Sequence, residues 1–190
     1  VHNDVLFGTY ANAKRPSELA VIKNNEIEKL SSFNEVALEQ YQLGSTVEIN
    51  YKAPDGMDVQ GWYITPPKFD KSKKYPLILV IHGGPHSVYR NQFNYLWHQF
   101  ASDVYVVLYT NPRGSTSYGK DFANLIHHNY PSQDYDDLMS GVDHVIERGY
   151  VDENNLFVTG GSGGGVMTSW TIGKTARFKA AVVAKPVINW

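Results

Sequence analysis

Four apolar runs in the second part of the chain lack the alternation of apolar and polar residues that marks a half-exposed strand. Such continuous runs are typical of strands that are covered on both faces, as in a parallel sheet. The segments between the runs are long enough for helices, and the one at 132–149 has apolar residues at helical spacing. The runs are YPLILVI (75–81), VYVVLYT (104–110), NLFVTGG (155–161) and FKAAVVA (178–184), and the predicted helices lie at 89–102, 132–149 and 166–175. Strands that alternate with helices predict a doubly wound, mostly parallel α/β sheet.

The beginning of the chain has a different pattern. Two short β-like runs, VLFGTY and SELAVI, flank a turn-like segment and are followed by NNEIEKL, and FNEVALEQY (33–41) has modest helical spacing. Residues 45–67 predict a hairpin with its turn at Pro54-Asp55-Gly56. We therefore predict two regions: a short β segment with a linker in residues 1–40, and an α/β domain in residues 41–190.

Composition and charge argue against nucleic acids, membranes and thiolate-bound metals as partners. The chain of 190 residues is 42% hydrophobic and 19% charged, with a net charge of −2 and no cysteine. No basic surface that would attract nucleic acid or anionic lipid is expected, and no apolar run approaches the length of a membrane span. Without cysteine the chain forms no disulfide and no thiolate metal site. We expect neither a nucleic-acid nor a membrane partner.

The stretch LFVTGGSGGG contains the strongest chemical signal. Residues 160–164 fit the pattern G-x-S-x-G between a predicted strand and a predicted helix, which is the context of a nucleophile elbow. Ser162 is the candidate nucleophile, and the backbone N–H of Gly163 is a candidate oxyanion donor. Two phosphate-binding motifs are excluded. A dinucleotide fingerprint would need glycine in place of Val166, and a P-loop would need glycine in place of Thr168. No organic cofactor is expected.

A second motif, His82-Gly83-Gly84-Pro85-His86, follows the first buried strand. In α/β hydrolases a loop at this place donates the second oxyanion N–H, so Gly84 is the candidate donor. A zinc site on His82 and His86, or on His127-His128, would lack a third ligand at a meaningful spacing. No metal is expected.

A catalytic serine of this type needs an imidazole that is itself oriented by a carboxylate. No Asp, Glu or His follows Ser162, and the seven histidines at 2, 82, 86, 98, 127, 128 and 144 belong to other predicted elements. We expect both partners to lie beyond Trp190, so the chain alone should be inactive. Half a sheet also exposes an apolar edge, and we expect residues 1–190 alone to self-associate rather than to form a monodisperse monomer.

Other side chains have both structural and functional interpretations. Arg113 is expected either to pair with Asp136 or Asp137 or to lie free on the surface. Tyr118 is a candidate for lining the substrate pocket, although packing under its loop is the favoured interpretation. The predicted helix start near 134 explains its three acidic residues without chemistry. The tryptophans at 62, 97 and 170 are expected in the core.

Three linked stretches, LILVIHGGPH, YTNPRGSTSYGKDF and DYDDLMSGVDHVIERGYVDENNLFVTGGSGGG, resemble the catalytic domain of the prolyl oligopeptidase family of serine peptidases, nearest its acylaminoacyl-peptidase and dipeptidyl-peptidase-like branches. The resemblance covers about residues 45–190, and the opening resembles the last blade of that family's β-propeller. It implies the N-terminal half of an α/β-hydrolase domain whose parent cleaves oligopeptides through an acyl-enzyme on Ser162. A homo-oligomeric parent is compatible with it.

The chain departs from the family at two places. The family usually carries a bulky residue, often tyrosine, at the position of Gly163, and often an aromatic residue at the position of Val166. A looser elbow is therefore expected here. Three alternatives remain: an esterase or lipase of the same fold, a non-catalytic interaction domain that has lost its chemistry, and, as the weakest, an oxidoreductase that binds a nicotinamide cofactor.

Overall fold

A computed structural model describes residues 5–189 of the chain. Its first part is a three-stranded antiparallel sheet in the order β1-β2-β3, with β1 at Leu6–Asn12, β2 at Arg15–Lys23 and β3 at Glu26–Lys29. Asn24 and Asn25 both have positive φ angles, 51° and 64°, as a two-residue turn between twisted strands requires. The segment EIEK, within the NNEIEKL to which the sequence analysis assigned no element, is a third strand. The assignment of residues 1–40 to the end of a propeller stays a prediction.

A buried carboxylate joins this small sheet to the segment that follows. Glu18 is only 3% exposed, and its side chain accepts hydrogen bonds from the backbone N–H groups of Phe33 and Asn34 at 3.1 and 3.0 Å and from the hydroxyl of Ser31. These bonds, that of Ser31 first, lower the pKa of Glu18 to about 2. The short helix α1 (Glu35–Leu38) begins directly after this anchor.

The main sheet has six strands in the order β4-β5-β7-β6-β8-β9. The first two strands pair antiparallel with each other, and β5 also pairs antiparallel with β7, whereas the β6–β7, β6–β8 and β8–β9 pairs are parallel. The strands are β4 (Thr46–Lys52), β5 (Asp58–Ile64), β6 (Tyr75–Ile81), β7 (Val106–Asn111), β8 (Val151–Gly161) and β9 (Ala180–Ala184). The predicted mostly parallel sheet is confirmed.

Helices cover both faces of this sheet, which explains the unbroken apolar runs. They are α2 (Tyr95–Ser102), α3 (Lys120–Asn124), α4 (Asp134–Ile146) and α5 (Gly163–Lys174). On β6, Leu77 and Leu79 pack with side chains of α4 and α5, whereas Ile78 and Val80 pack with Trp97 of α2 on the opposite face. The strand is therefore buried on both sides, as a central parallel strand must be.

Three sequence predictions about the helices differ from the structure. The crossover helix begins at Tyr95 rather than near Tyr89, because Asn94 caps it and accepts from the backbone N–H of Trp97 at 3.2 Å. The backbone N–H of Tyr89 donates instead to the side chain of Asn111 at 2.7 Å. The helix after Ser162 begins at Gly163, three residues before the predicted start. Trp170 was predicted in the core, and this was wrong: it is 36% exposed, with the ammonium of Lys174 over its ring at 4.7 Å.

Of the two interpretations left open for Arg113, the structure shows the pairing with a helix carboxylate, and the partner is Asp137. The guanidinium donates to the two carboxylate oxygens at 2.7 and 2.9 Å, and the backbone N–H of Arg113 adds a bond of 2.8 Å. The outer face of the guanidinium contacts Asp55 and Gln133. Burial raises the pKa of Asp137 and the guanidinium counteracts this rise, while Asp137 raises the pKa of Arg113. The cluster fixes the loop after β7 to the start of α4.

One end of the sheet remains open on the α2 side. Strand β9 lies at the edge, and Val182 on it is 65% exposed. A groove of about 540 Å³ with mostly apolar lining runs between α2 and strands β6, β8 and β9. This surface is where the self-association expected of residues 1–190 would occur, which stays a prediction. Within residues 5–189 no helix is both long and apolar enough to cross a membrane.

Candidate active site

Ser162 occupies a sharp turn between β8 and α5. Its backbone angles are φ 56° and ψ −119°, a combination that residues with a side chain rarely adopt. Such strain persists only where the surrounding structure enforces it, and it is concentrated at functional sites. Ser162 is exposed while the next residues, Gly163 and Gly164, are buried. The turn thus presents one hydroxyl at the carboxyl end of the sheet, which is the geometry of a nucleophile elbow.

The loop after β6 packs directly on this turn. A side chain at Gly163 would place its Cβ 2.6 Å from the carbonyl oxygen and 3.0 Å from the nitrogen of Gly84. A Cβ at Gly83 would lie 3.4 Å from the Cβ of Ser162. The elbow is therefore closely packed, and the expected looseness at Gly163 is wrong. The missing side chain is replaced by the backbone of the neighbouring loop.

Both candidate oxyanion donors lie at this contact. Among residues 5–189, neither the N–H of Gly163 nor that of Gly84 donates a hydrogen bond, and the hydroxyl of Ser162 has no partner. Gly163 is the first residue of α5, where free N–H groups and the positive end of the helix dipole favour a developing negative charge. The structure brings Ser162, Gly84 and Gly163 together, and their catalytic roles stay predictions.

His82 holds the peptide that contains the N–H of Gly84. Its Nδ1 lies 2.8 Å from the carbonyl oxygen of Gly83, which can only accept, so Nδ1 carries the proton. The Gly83 carbonyl and the Gly84 N–H belong to one planar peptide unit, and fixing the first therefore orients the second. Its Nε2 lies 3.0 Å from the hydroxyl of Ser115. Burial lowers the pKa of His82, which keeps the ring neutral at neutral pH. Sequence reasoning found the motif but gave His82 no role.

None of the described histidines contacts Ser162. Besides His82, His86 donates through Nδ1 to the carbonyl of Gly114 at 3.0 Å, and His98 donates through Nε2 to Ala13 at 2.9 Å. His144 stacks on Tyr51. His127 and His128 are exposed and lie against each other, and His2 lies outside the described residues. In the part of the chain that the structure describes, no group of three or more residues could hold a metal ion.

Tyr118 takes part in a chain of hydrogen bonds that leads through Asn111 to Tyr89, which lies beside His82. Its hydroxyl donates to Gln60 at 2.5 Å and accepts from Asn111 at 2.8 Å, and its ring packs on Phe122. Through Asn111 it is linked to Tyr89, which stands edge-on against the ring of His82 at 5.2 Å. These contacts describe a support for the loop, and its role in a substrate pocket stays a prediction.

A tyrosine contacts the elbow, and a buried aspartate follows it in the chain. Sequence reasoning gave the tyrosine no role and treated the aspartate only as one of three acidic residues at a helix start. The hydroxyl of Tyr130 donates to the carbonyl of Gly163 at 2.8 Å. Four residues later, Asp134 is 2% exposed, and burial raises its pKa to about 6 although two backbone N–H groups donate to it. No local pattern distinguishes Tyr130 from an ordinary core tyrosine.

The raised pKa of Asp134 predicts a pH effect on stability. Between about pH 4 and pH 6 the folded state holds a proton that the unfolded state has lost, so this group favours unfolding increasingly as the pH rises through that range. With a folded pKa of about 6 against 3.8, the penalty at pH 7 is about 3 kcal/mol. Asp134→Asn should therefore raise the unfolding midpoint at pH 7 and leave it nearly unchanged at pH 4.

Urea unfolding of the wild type and of Asp134→Asn at pH 4, 5, 6 and 7 tests this. Burial lowers the pKa values of His82 and His98, and these groups change the stability with pH in the opposite direction. Their contribution is the same in both proteins, so it cancels when the two unfolding free energies are subtracted. A difference that does not grow between pH 4 and pH 7 would contradict the buried, uncompensated state of Asp134.

Comparison with known proteins identifies sequence relatives of this chain. The profile of the prolyl oligopeptidase family matches residues 87–190. The chain is 43% identical over 178 residues to the uncharacterized peptidase YuxL of Bacillus subtilis, covering 93% of this chain and 27% of that protein. It is 38% identical over 162 residues to dipeptidyl-peptidase 5 of Aspergillus fumigatus, covering 82% and 22% of the two chains.

The fold has a close counterpart among solved structures. The acylaminoacyl peptidase of Pyrococcus horikoshii aligns with a TM-score of 0.87 and 29% identity, over 94% of this chain and 29% of that one. The predicted α/β-hydrolase fold is thereby confirmed. The chain spans about a quarter of the length of the curated relatives named above. More than half of the sequence matches the family profile, and the chain belongs to the prolyl oligopeptidase family.

Proposed function

We propose that this chain carries the nucleophile and the oxyanion hole of a serine peptidase. Ser162 Oγ attacks the carbonyl carbon of a peptide bond, and its proton passes to a histidine. The tetrahedral intermediate then collapses as that histidine protonates the leaving amine, which yields an acyl-enzyme that water hydrolyses. The observation that carries the proposal is the strained backbone of an exposed Ser162, at φ 56° and ψ −119°, between β8 and α5.

The backbone N–H groups of Gly84 and Gly163 hold the oxyanion in this proposal. Two features support it: the two glycines are in backbone contact, and neither N–H has an acceptor among the described residues. Donors fixed in place before the reaction stabilise the charge that develops in the transition state without further reorganisation. The packing of His82 and Gly83 supplies that rigidity on one side of the hole.

The histidine and the acid come from sequence outside residues 1–190. No Asp, Glu or His follows Ser162 in this chain, although α/β hydrolases place both partners after the nucleophile. The histidines at 82, 86, 98 and 144 are engaged elsewhere, as described above. Residues 1–190 alone are therefore inactive in this proposal, and the whole protein is the catalyst.

Peptides are the proposed substrates. The relatives that the chain resembles include a dipeptidyl-peptidase and an acylaminoacyl peptidase, both named for the hydrolysis of peptide bonds near a chain terminus. No metal or organic cofactor takes part in the proposed chemistry, because the oxyanion donors are backbone groups and the nucleophile is a hydroxyl.

Replacing the nucleophile tests the proposal. The whole protein should release p-nitroaniline from dipeptide p-nitroanilides with a free or an acetylated N-terminus, and Ser162→Ala should lower kcat by about 10⁶-fold. Ser169→Ala removes a half-buried hydroxyl from the same helix and serves as the matched control, with kcat within a factor of two of the wild type (roughly ±0.5 kcal/mol).

The same assay separates the alternatives. An esterase of this fold would cleave the matching p-nitrophenyl esters and leave the anilides intact in the wild type. A non-catalytic relative would cleave neither substrate. Either result would contradict the peptidase proposal, as would anilide hydrolysis that persists in Ser162→Ala.

A further inference from the structure

Gly163 is the residue whose orientation matters most in the proposed oxyanion hole, and it has no side chain to hold it. It follows a strained residue, and its Cα faces the backbone of Gly84. Glycine loses more conformational freedom on folding than any other residue. The Ser162 side of Gly163 is held by the bond from the Val166 N–H to the Ser162 carbonyl at 3.0 Å, and the other side needs its own anchor. The contacts of its carbonyl oxygen identify that anchor.

The anchor is Tyr130, which lies 33 positions earlier between α3 and α4. Its hydroxyl donates to the Gly163 carbonyl oxygen at 2.8 Å. The tyrosine is half-buried, its ring packs against the main core, and burial raises its pKa, so the hydroxyl keeps its proton at neutral pH. Because core packing holds the ring of Tyr130, its hydroxyl limits the movement of Gly163, the first residue of α5.

We propose that Tyr130 is a positioning residue for the oxyanion hole: by fixing the carbonyl of Gly163 it holds this residue so that its N–H meets the developing oxyanion. His82 acts on Gly84 more directly, because the Gly83 carbonyl and the Gly84 N–H belong to one peptide unit. For Gly163 the carbonyl of that same unit is that of Ser162, which accepts from the backbone N–H of Val166 at 3.0 Å, and Tyr130 fixes the peptide unit on the other side of the Gly163 Cα. This inference rests on the proposed function of Ser162.

An effect on the transition state distinguishes this role from packing. The oxyanion N–H bonds strengthen as the tetrahedral species forms, so a loosened Gly163 should slow the chemical step and leave ground-state binding unchanged. A structural defect alone would lower the unfolding midpoint without separating the two kinetic constants.

The test uses the whole protein and a fluorophosphonate–rhodamine probe. In labelling, Ser162 Oγ bonds to phosphorus, the P–F bond breaks, fluoride leaves, the Oγ proton passes to the general base, and the phosphonyl oxygen occupies the oxyanion hole. The limiting rate constant kinact and the binding constant KI are measured for the wild type, Tyr130→Phe and a control, together with the melting temperature. The control, Tyr135→Phe, removes a hydroxyl from a half-buried tyrosine packed on the same core.

We expect Tyr130→Phe to lower kinact about tenfold, the effect of roughly one hydrogen bond, with KI unchanged and Tyr135→Phe at wild-type values. If Tyr130→Phe does not fold, Tyr130→Met, which fills similar space without a donor, carries the same expectation. A wild-type protein that takes no label contradicts the proposed function itself. A labelled wild type with equal kinact in the Tyr130 variant, or with a change in KI alone, overturns the positioning role.

Discussion

Replacing Asp137 with alanine is expected to destabilise the protein by about 3–5 kcal/mol, because the substitution leaves a buried guanidinium without its main partner. The side chain of Arg113 is 4% exposed and that of Asp137 is 0% exposed, and the two share bonds of 2.7 and 2.9 Å. Asp55, at the surface, cannot replace the lost carboxylate, because it already contacts the outer face of the same guanidinium. Urea unfolding of the whole protein measures the loss.

Asp136→Ala is the matched control, since Asp136 is adjacent in sequence, has the same chemistry and is half-exposed. It should change the unfolding free energy by less than about 0.5 kcal/mol. The double variant Arg113→Met with Asp137→Leu should recover most of the lost stability, because replacing both charges removes the uncompensated one. Equal effects of Asp136→Ala and Asp137→Ala would contradict the assignment of this ion pair.

Gly163→Ala is expected to lower kcat for peptide hydrolysis by about 10²–10³-fold, the loss associated with one oxyanion donor. The new Cβ would lie 2.6 Å from the oxygen, 2.8 Å from the carbonyl carbon and 3.0 Å from the nitrogen of Gly84. These are backbone atoms, so the loop itself must move. The movement separates the two proposed donors, because one lies on each side of the contact.

The control for this substitution lies on the same helix. Gly173→Ala adds the same methyl group where no heavy atom lies within 4 Å, and alanine is the better helix former there. We expect it to keep the wild-type kcat and to leave or slightly raise the melting temperature. An active Gly163→Ala, with kcat near that of the wild type, would show that the hole does not depend on the contact between Gly84 and Gly163.

Local patterns in the sequence located the candidate nucleophile because a strand, a tight glycine turn and a helix are consecutive in the chain. The close backbone approach at Gly163 was not predicted: the sequence suggested a looser elbow, whereas the contact is made with Gly84 in a distant loop. Pairing was one of two interpretations that the sequence left open for Arg113, because a loop after a buried strand meets the start of the next helix. The sequence analysis left Asp136 and Asp137 open, although helical spacing favours Asp137, which is one turn before Gly141 and two turns before Val145 on the buried side of α4.

Contacts between distant segments could not be predicted in this way. Tyr130 is 33 residues from Gly163, and its sequence surroundings suggest only packing. The path of the chain at Tyr89, before α2, depends on Asn111, a side chain at the end of another strand, whereas the start of α2 at its N-cap Asn94 is a local signal that was not used. Trp170 was expected in the core. The face of α5 that becomes buried is set by its approach to β8 and β9, which the pattern of one helix does not encode.

Covalent labelling of Ser162 tests the central claim most directly. The whole protein is exposed to a fluorophosphonate probe, its intact mass is measured, and the modified residue is located by peptide mapping, with residues 1–190 alone treated in parallel. The account predicts one adduct per chain on Ser162 in the whole protein, its loss in Ser162→Ala, and no adduct on residues 1–190. A whole protein that stays unlabelled, or an adduct that survives Ser162→Ala, would contradict the claim that Ser162 is the nucleophile.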